Sequence, residues 1–242
     1  MSHSAFWGEL AGTAILILLG NGVVACVVLN KSYGHGSGWM VITTGWCFAV
    51  IGGVMTALAL GSHAHLNPAV TIGVALASGV WKEVPTYISG QFLGAMLGAT
   101  LVWLHYLPHW SLTEDTSGKR ACFCTAPAIR HLPSNVLSEV IGTFVLVLLA
   151  AALSSARVAP NGLSPGLGPV IVGFLVWGIG LSLGGPTGYA INPARDLGPR
   201  VMHALLPVAG KGSSEWDYAL IPVLGPFIGA TLAGLLVKTV AM

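Results

Sequence analysis

The sequence predicts an all-α membrane protein with six transmembrane helices and two re-entrant half-helices, arranged as an inverted internal repeat. Among its 242 residues, 54% are hydrophobic and only 7% are charged, whereas a soluble domain carries roughly 25% charged residues. Because so few charges cannot cover a surface that faces water, lipid must be the solvent for most of the chain. The small net charge of +2 also argues against nucleic acid as a partner.

Eight apolar segments account for the predicted helices. Six approach the length of about 20 residues that a span needs: 5–30, 40–60, 84–104, 136–156, 168–183 and 219–240. The fifth is short unless flanking residues extend it. Two shorter segments, Pro68–Ser78 and Pro193–Leu205, are roughly half as long as a span. Each begins at the proline of an Asn-Pro-Ala motif. Asn67 and Asn192 are favoured N-caps, and proline suits the first helical position.

The two halves of the chain repeat each other. Three matches occur in the same order, at offsets of 130, 125 and 135 positions: 9–16 (ELAGTAIL) with 139–146 (EVIGTFVL), Asn67 with Asn192, and 90–95 (GQFLGA) with 225–230 (GPFIGA). The halves are approximately 5–106 and 135–240 of a single domain, 1–242. Since each half holds three full spans, the second must enter the membrane inverted, and its interrupted segments indicate a transport site.

Half-helices that enter from opposite faces would meet at their N-termini near the middle of the membrane. Each N-terminus carries roughly +0.5 elementary charge and unpaired N–H groups, so the meeting point repels cations, including hydronium. If each asparagine caps its helix through its amide oxygen, its NH₂ group faces the lumen and donates to a passing oxygen, which then cannot relay a proton. The alternative is that Asn67 and Asn192 are plain helix caps.

The two Asn-Pro-Ala motifs, the ordered repeat and the string NPARD at 192–196 together resemble the aquaporin superfamily, specifically its glycerol-facilitator (aquaglyceroporin) branch. The similarity runs from Glu9 to the last helix. It implies a right-handed bundle of six tilted helices with two re-entrant half-helices, and a homotetramer with one pore in each subunit.

The resemblance also implies a selectivity filter. By this resemblance Arg195 is the arginine of the aromatic/arginine filter. A charged side chain at membrane depth usually lines a cavity, and the alternative is that Arg195 only pairs with a carboxylate or a carbonyl. Spacing from Asn192 places Tyr189 where glycerol facilitators often have Phe, and Gly180 where water-selective relatives have a bulkier His. Glycine there would widen the pore enough for a polyol, whereas the Tyr189 hydroxyl would make the filter more polar and slightly narrower.

Two further filter features are expected. The second helix supplies an aromatic residue, Trp46, or alternatively Cys47 if the family spacing holds without a gap. Asp196 separates the chain from water-only relatives, which usually lack it. Its carboxylate would favour the N-terminus of the half-helix electrostatically and orient Arg195.

Four polar residues are candidates for supporting these motifs. Glu9 and Glu139 occupy equivalent positions of the repeat at membrane depth, and would form either a proton relay or structural bonds to the loops before the half-helices. The resemblance supports the structural interpretation. His65 would support the loop carbonyls or contact the lumen, with metal binding beside His63 as the alternative. Gln91 would hydrogen-bond the same loop.

These features favour a passive channel for glycerol and other small neutral solutes, with some water, that excludes ions and protons. The alternative is a coupled secondary transporter in which Glu9 and Glu139 titrate. No ATP site, nucleophile–base pair or metal motif is recognisable, so we expect neither an enzyme nor a cofactor; Cys122 and Cys124 lack the second pair of a zinc site. Glycerol, dihydroxyacetone, urea, neutral lactic acid and water are the candidate solutes.

Location and loops complete the expectations. No basic segment precedes the first apolar run, so a permanent span is expected rather than a cleaved signal peptide. The short termini favour the cytoplasmic (inner) membrane of a bacterium. Lysines and arginines flank both sides similarly, so the positive-inside rule favours neither orientation. The loop 107–135 is expected to be a solvated stretch without a motif.

Overall fold

The computed structural model describes residues 3–240. That range contains nine α-helices, a short 3₁₀ turn at Leu107–His109 and no β-strand: α1 His3–Val28, α2 Trp39–Ala59, α3 Pro68–Ser78, α4 Val84–His105, α5 Thr116–Ala121, α6 Leu132–Ser154, α7 Leu167–Leu183, α8 Pro193–Leu205 and α9 Ile221–Val240. The predicted all-α fold is confirmed. The predicted domain 1–242 also includes residues 1, 2, 241 and 242, which lie outside the described range.

Helix lengths separate the spans from the half-helices. Between residues 3 and 240, five helices are long and apolar enough to cross a membrane: α1, α2, α4, α6 and α9. Helix α7 is the fifth predicted span, and its 17 residues reach about 26 Å at 1.5 Å per residue, near the lower limit for a span. The half-helices α3 and α8 have 11 and 13 residues and the predicted bounds.

The helices pack as two interlocked halves. In the first half α1 lies against α2 and α4, and in the second half α6 lies against α7 and α9. Each half-helix packs against the last helix of the other half, so that α3 lies on α9 and α8 lies on α4, while α2 and α7 meet between the halves. This reciprocal arrangement is what an inverted repeat requires.

Glycines allow the first and last helices of each half to approach closely. A Cβ atom at Gly94 would overlap the backbone oxygen of Leu10, and one at Gly229 would overlap that of Val140. Small residues permit such contacts in lipid, where no hydrophobic effect drives helices together. The α1–α4 and α6–α9 pairs thus form the frame that holds the loops before α3 and α8.

The middle of the connection between α4 and α6 folds into the protein, so the prediction of a solvated stretch at 107–135 is wrong for that part, whereas Glu114 and Asp115 are exposed as expected. Trp110, Cys122 and Phe123 are fully buried. Burial raises the pKa of the nearby Cys124 thiol to about 12, so this thiol stays protonated and unreactive. Most buried residues of the loop lie within 118–125, beside the charged Arg120, and show neither a helix nor a strand period, which is why the sequence did not reveal them.

Candidate functional site

The loops that lead into α3 and α8 share an unusual backbone. Ala64 and Leu66 have φ angles of 58° and 51°, and Tyr189 and Ile191, each 125 positions later, have φ angles of 39° and 42°. Residues other than glycine rarely adopt positive φ, and such strain persists only where the surroundings enforce it. The matching positions show that both loops are held in the same shape.

Glu9 holds the first loop. Its carboxylate, which is fully buried, accepts hydrogen bonds from the backbone N–H groups of His65 (2.9 Å) and Leu66 (2.7 Å). The Ser62 hydroxyl donates a third bond and Gln91 Nε2 a fourth. The side chain from α1 thereby satisfies backbone donors of a loop that would otherwise lie unpaired at membrane depth.

Glu139 holds the second loop in the same way. Its buried carboxylate accepts hydrogen bonds from the N–H groups of Ala190 (3.0 Å) and Ile191 (2.7 Å) and from the Thr187 hydroxyl (2.6 Å). These three donors are the counterparts, 125 positions later, of three donors to Glu9. The geometry fits structural support rather than a proton relay, because each carboxylate is bonded to a fixed loop.

Gln91 and His65 converge on Thr71, in the first turn of α3. Gln91 Nε2 donates to Glu9 (2.7 Å) and to Thr71 Oγ1 (3.0 Å), so the expected direct bond to the loop is wrong because Glu9 takes up the amide. A ring nitrogen of His65 lies 3.2 Å from the same hydroxyl, and the ring packs against Tyr87. Among the described residues, no group of three or more His, Cys, Asp or Glu could hold a metal ion.

Asn67 and Asn192 join the two halves. Each amide oxygen caps its own half-helix by accepting a backbone N–H of the first turn, at 2.9 Å in α3 and 3.0 Å in α8. Each amide nitrogen also donates across the repeat, from Asn67 to the Ile191 carbonyl (2.7 Å) and from Asn192 to the Leu66 carbonyl (2.8 Å). The expectation that the whole NH₂ group faces a lumen is therefore wrong; one of its two N–H groups remains available.

Arg195 is buried against Trp46. The guanidinium carbon lies 4.3 Å from the centre of the Trp46 ring, within range of a cation–π interaction. Nη1 lies 3.4 Å from both Asn21 Oδ1 and the Phe123 carbonyl oxygen. In the described part of the chain, Arg195 forms no ion pair with a carboxylate, and neither Nε nor Nη2 has a protein partner. Sequence reasoning missed Asn21, which no motif marks.

The Tyr189 ring fills the space that a side chain at position 180 would need. A Cβ atom at Gly180 would lie 2.8 Å from Tyr189 Cζ, and Trp39 packs edge-on against the ring. The Tyr189 ring therefore occupies the space by which Gly180 was expected to widen the pore. The buried Tyr189 hydroxyl has no hydrogen-bond partner among residues 3–240, which is typical of a group that serves water or a ligand.

Asp196 binds Arg200 and the loop between α5 and α6, so the expectation that it orients Arg195 is wrong. Its Oδ1 accepts from Arg200 Nε (2.8 Å), and its Oδ2 accepts from both the N–H and the hydroxyl of Thr125 (2.7 Å each). Arg200 also donates to the Ser214 carbonyl. Residues four apart on a helix face each other, whereas neighbours do not; this spacing was the sequence signal for Arg200.

One cavity of about 630 Å³ connects these groups. Its wall includes both capping asparagines, the loops that precede them, and the side chains of Trp46, Tyr189 and Arg195. Cys47, the alternative to Trp46, is not part of this wall. The cavity extends to Ser155, where α6 ends at one face of the bundle. The strained loops, the caps and the arginine thus border a shared path.

An inverted repeat of membrane helices whose two capped half-helices meet beside one cavity defines a multi-pass transmembrane channel protein. A family model described as Major intrinsic protein matches residues 2–237. The chain belongs to this family, which confirms the resemblance noted in the sequence.

Similar proteins agree with this assignment. The chain is 55% identical to the probable glycerol uptake facilitator protein of Thermotoga maritima, with 95% of this chain and 96% of the relative covered. It is 54% identical to the glycerol uptake facilitator protein of Bacillus subtilis, with 96% and 82% covered. The solved structure of the aquaglyceroporin from Plasmodium falciparum matches with a TM-score of 0.84 at 27% identity, covering 98% of this chain and 96% of that one.

Proposed function

We propose that this protein is a passive channel that conducts glycerol and other small neutral solutes, with some water, and excludes ions and protons. The observation that carries the proposal is the convergence on one cavity of Asn67, Asn192 and the Arg195 guanidinium, which has no carboxylate partner within residues 3–240. A spare amide N–H on each side of the meeting point can take the lone pairs of a passing oxygen, so that this oxygen cannot relay a proton. The positive helix ends and Arg195 repel cations.

The filter consists of Trp46, Gly180, Tyr189 and Arg195. The rings of Trp46 and Tyr189 give one side of the passage an apolar wall that suits the carbons of a polyol. Arg195 Nε and Nη2 and the Tyr189 hydroxyl offer hydrogen-bonding groups to the solute's hydroxyls. Glycerol, which names the bacterial relatives, carries both kinds of surface and is the solute we expect.

Conduction in this proposal is not coupled to an ion gradient. Glu9 and Glu139 act as loop supports, since each is bonded to backbone N–H groups of a loop. The chain forms one channel domain from the halves 5–106 and 135–240. As the family implies, four subunits assemble as a homotetramer in the bacterial cell membrane, each with its own pore, and no cofactor takes part.

Stopped-flow light scattering of proteoliposomes tests the proposal. Glycerol entry should rise in proportion to the gradient and stay unchanged when an uncoupler is added. Vesicles without protein give the background. Entry that saturates at low glycerol and collapses with the uncoupler would establish a coupled transporter instead.

Replacing Arg195 with Val tests the filter. Valine is the residue at the corresponding position of the first half, Val70. The variant should pass a four-carbon polyol about tenfold faster, which corresponds to about 1.4 kcal/mol of barrier, and should leak protons, because both bulk and charge are lost. Arg130→Val, which removes a half-exposed arginine of the loop between α5 and α6, is the control. An unchanged size limit and proton leak in Arg195→Val would remove Arg195 from the filter.

A further inference from the structure

Asn21, in the last third of α1, contacts the arginine of the proposed filter. Its side chain is completely buried. Nδ2 donates to the Phe123 carbonyl at 3.0 Å, and Oδ1 lies 3.4 Å from Nη1 of Arg195. The same Nη1 lies 3.4 Å from the Phe123 carbonyl. The Asn21 amide thus connects helix α1 to the loop between α5 and α6 and to the Arg195 guanidinium.

We propose that Asn21 is a positioning residue of the selectivity filter. Its amide holds the Arg195 guanidinium and the Phe123 carbonyl against each other, and thereby sets the size and polarity of the opening. The inference rests on the channel function proposed above, and it assigns to α1 a part in selectivity beyond the filter residues themselves.

Arg195 has few other restraints on its orientation. The guanidinium carbon lies over the Trp46 ring, and this attraction acts on the charge as a whole rather than on one particular N–H group. No carboxylate among residues 3–240 pairs with the guanidinium to fix that rotation. The contacts of Nη1 with Asn21 and Phe123 are therefore the ones that decide where Nε and Nη2 point.

The residue before Asn21, Gly20, packs against Trp46, another member of the proposed filter. A Cβ atom at Gly20 would overlap the Trp46 ring, so glycine is required for the ring to lie where it does. Consecutive residues of α1 thus serve the two filter members that contact each other: Gly20 admits Trp46, and Asn21 holds Arg195. This adjacency makes an incidental contact between Asn21 and the arginine a poor explanation.

A neutral amide suits this place better than other side chains of its size. Its oxygen accepts from the guanidinium while its nitrogen donates to the carbonyl. An aspartate would pair with Arg195 and cancel the charge that repels cations. An apolar side chain would leave a buried guanidinium N–H with one acceptor fewer, which is costly.

The test compares Asn21→Leu with Asn135→Leu. Asn135, near the start of α6, is also buried, donates to the Ile129 carbonyl (3.1 Å) and accepts the backbone N–H of His131. In the described chain it forms no hydrogen bond with a filter residue. The readout is the ratio of glycerol to water permeability in proteoliposomes, which does not depend on the amount of folded protein.

Asn21→Leu should lower this ratio about two- to tenfold, the range to which the net contribution of one hydrogen bond corresponds. The released Nη1 turns towards acceptors in the pore and narrows it for glycerol. Asn135→Leu should keep the wild-type ratio even where it lowers the yield. A wild-type ratio in Asn21→Leu, or an equal change in Asn135→Leu, overturns the proposal.

Asn21→Asp decides the matter if the leucine variant does not fold. The carboxylate keeps the acceptor for Arg195 but compensates its charge, so proton conductance should rise while the glycerol-to-water ratio stays closer to wild type. Proton conductance equal to that of wild type overturns the proposal. Wild-type vesicles that fail to conduct glycerol would instead refute the channel function itself, which separates the two failures.

Discussion

The half-helices α3 and α8 begin alike and continue differently. Both start at an asparagine cap, follow a strained loop held by a buried glutamate, and donate an amide N–H to the opposite loop. Beyond the cap the first is apolar and the second is charged. At an offset of 125 positions, the pairs are Val70 with Arg195, Thr71 with Asp196, and Ala75 with Arg200.

This difference separates two tasks. The shared parts build the meeting point of two positive helix ends, which needs symmetry. The charged residues of α8 have no counterpart in the first half. Asp196 and Arg200 bind the loops before α6 and before α9, and Arg195 borders the cavity. Both half-helices pack closely on the other half, α3 on α9 where Gly73 faces Gly234, and α8 on α4 where Gly198 faces Ala95. The charged residues beside the cavity thus come from one half, on a frame that both halves build.

The largest effect is expected when the charged pair of α8 is broken. Asp196 and Arg200 are both fully buried, and removing one partner of such a pair costs about 3–5 kcal/mol because the other charge is left uncompensated. Arg200→Met should therefore lower the thermal unfolding midpoint in detergent strongly, as followed by tryptophan fluorescence. It should also reduce the amount of protein in the membrane.

Two further variants make that measurement specific. Arg130→Met removes one side of an exposed pair with Asp217 and should cost less than about 1 kcal/mol. The double variant Asp196→Leu, Arg200→Met should recover part of the lost stability, since it leaves no unpaired charge. A midpoint of Arg200→Met equal to that of Arg130→Met would show that the buried pair does not stabilise this half.

The two loop-holding glutamates should respond unequally to the same change. Glu9 has Gln91 as a fourth partner, and the corresponding residue of the second half is Pro226, which offers no side-chain acceptor. Gln91 Oε1 is buried without a partner in the described chain, so a flip of this amide would accept the new N–H in Glu9→Gln. We expect Glu139→Gln to cost about 1–3 kcal/mol and Glu9→Gln less, measured by thermal unfolding.

The Gln91→Leu background checks this explanation. Without the adaptable amide, the cost of Glu9→Gln should rise to that of Glu139→Gln. An equal cost of Glu9→Gln in both backgrounds would contradict the role of Gln91. Neither glutamine variant should make glycerol flux depend on a proton gradient; if one did, the coupled-transporter interpretation would return.

Features common to both halves were predictable because their signals are local. The Asn-Pro motifs predicted where α3 and α8 begin, and the repeat predicted the inverted arrangement. The motifs and the repeat together indicated the family. A cap is decided by the asparagine and the few residues after it, so the sequence contains the whole cause. The same holds for the length of α3, which an apolar run defines.

Contacts specific to one half were not predictable because they join distant segments. Asn21 is 102 positions from Phe123 and 174 from Arg195, and Thr125 is 71 positions from Asp196. Such bonds leave no periodic pattern along the chain. The partner of Asp196 was assigned wrongly for a different reason: the adjacent Arg195 was chosen, although residues four apart on a helix face each other and Arg200 has that spacing.

The smallest effect is expected for the Tyr189 hydroxyl, which has no counterpart in the first half, where Ala64 occupies the corresponding position. Tyr189→Phe should raise the ratio of glycerol to water permeability about two- to threefold, because the filter becomes wider and less polar. This change is at the lower end of the range to which the net free energy of one hydrogen bond corresponds. Tyr218→Phe is a matched control, since it removes another buried hydroxyl that has no partner between residues 3 and 240 but does not border the cavity. If both variants kept the wild-type ratio, selectivity would depend on the arginine and on Trp46 without a contribution from this hydroxyl.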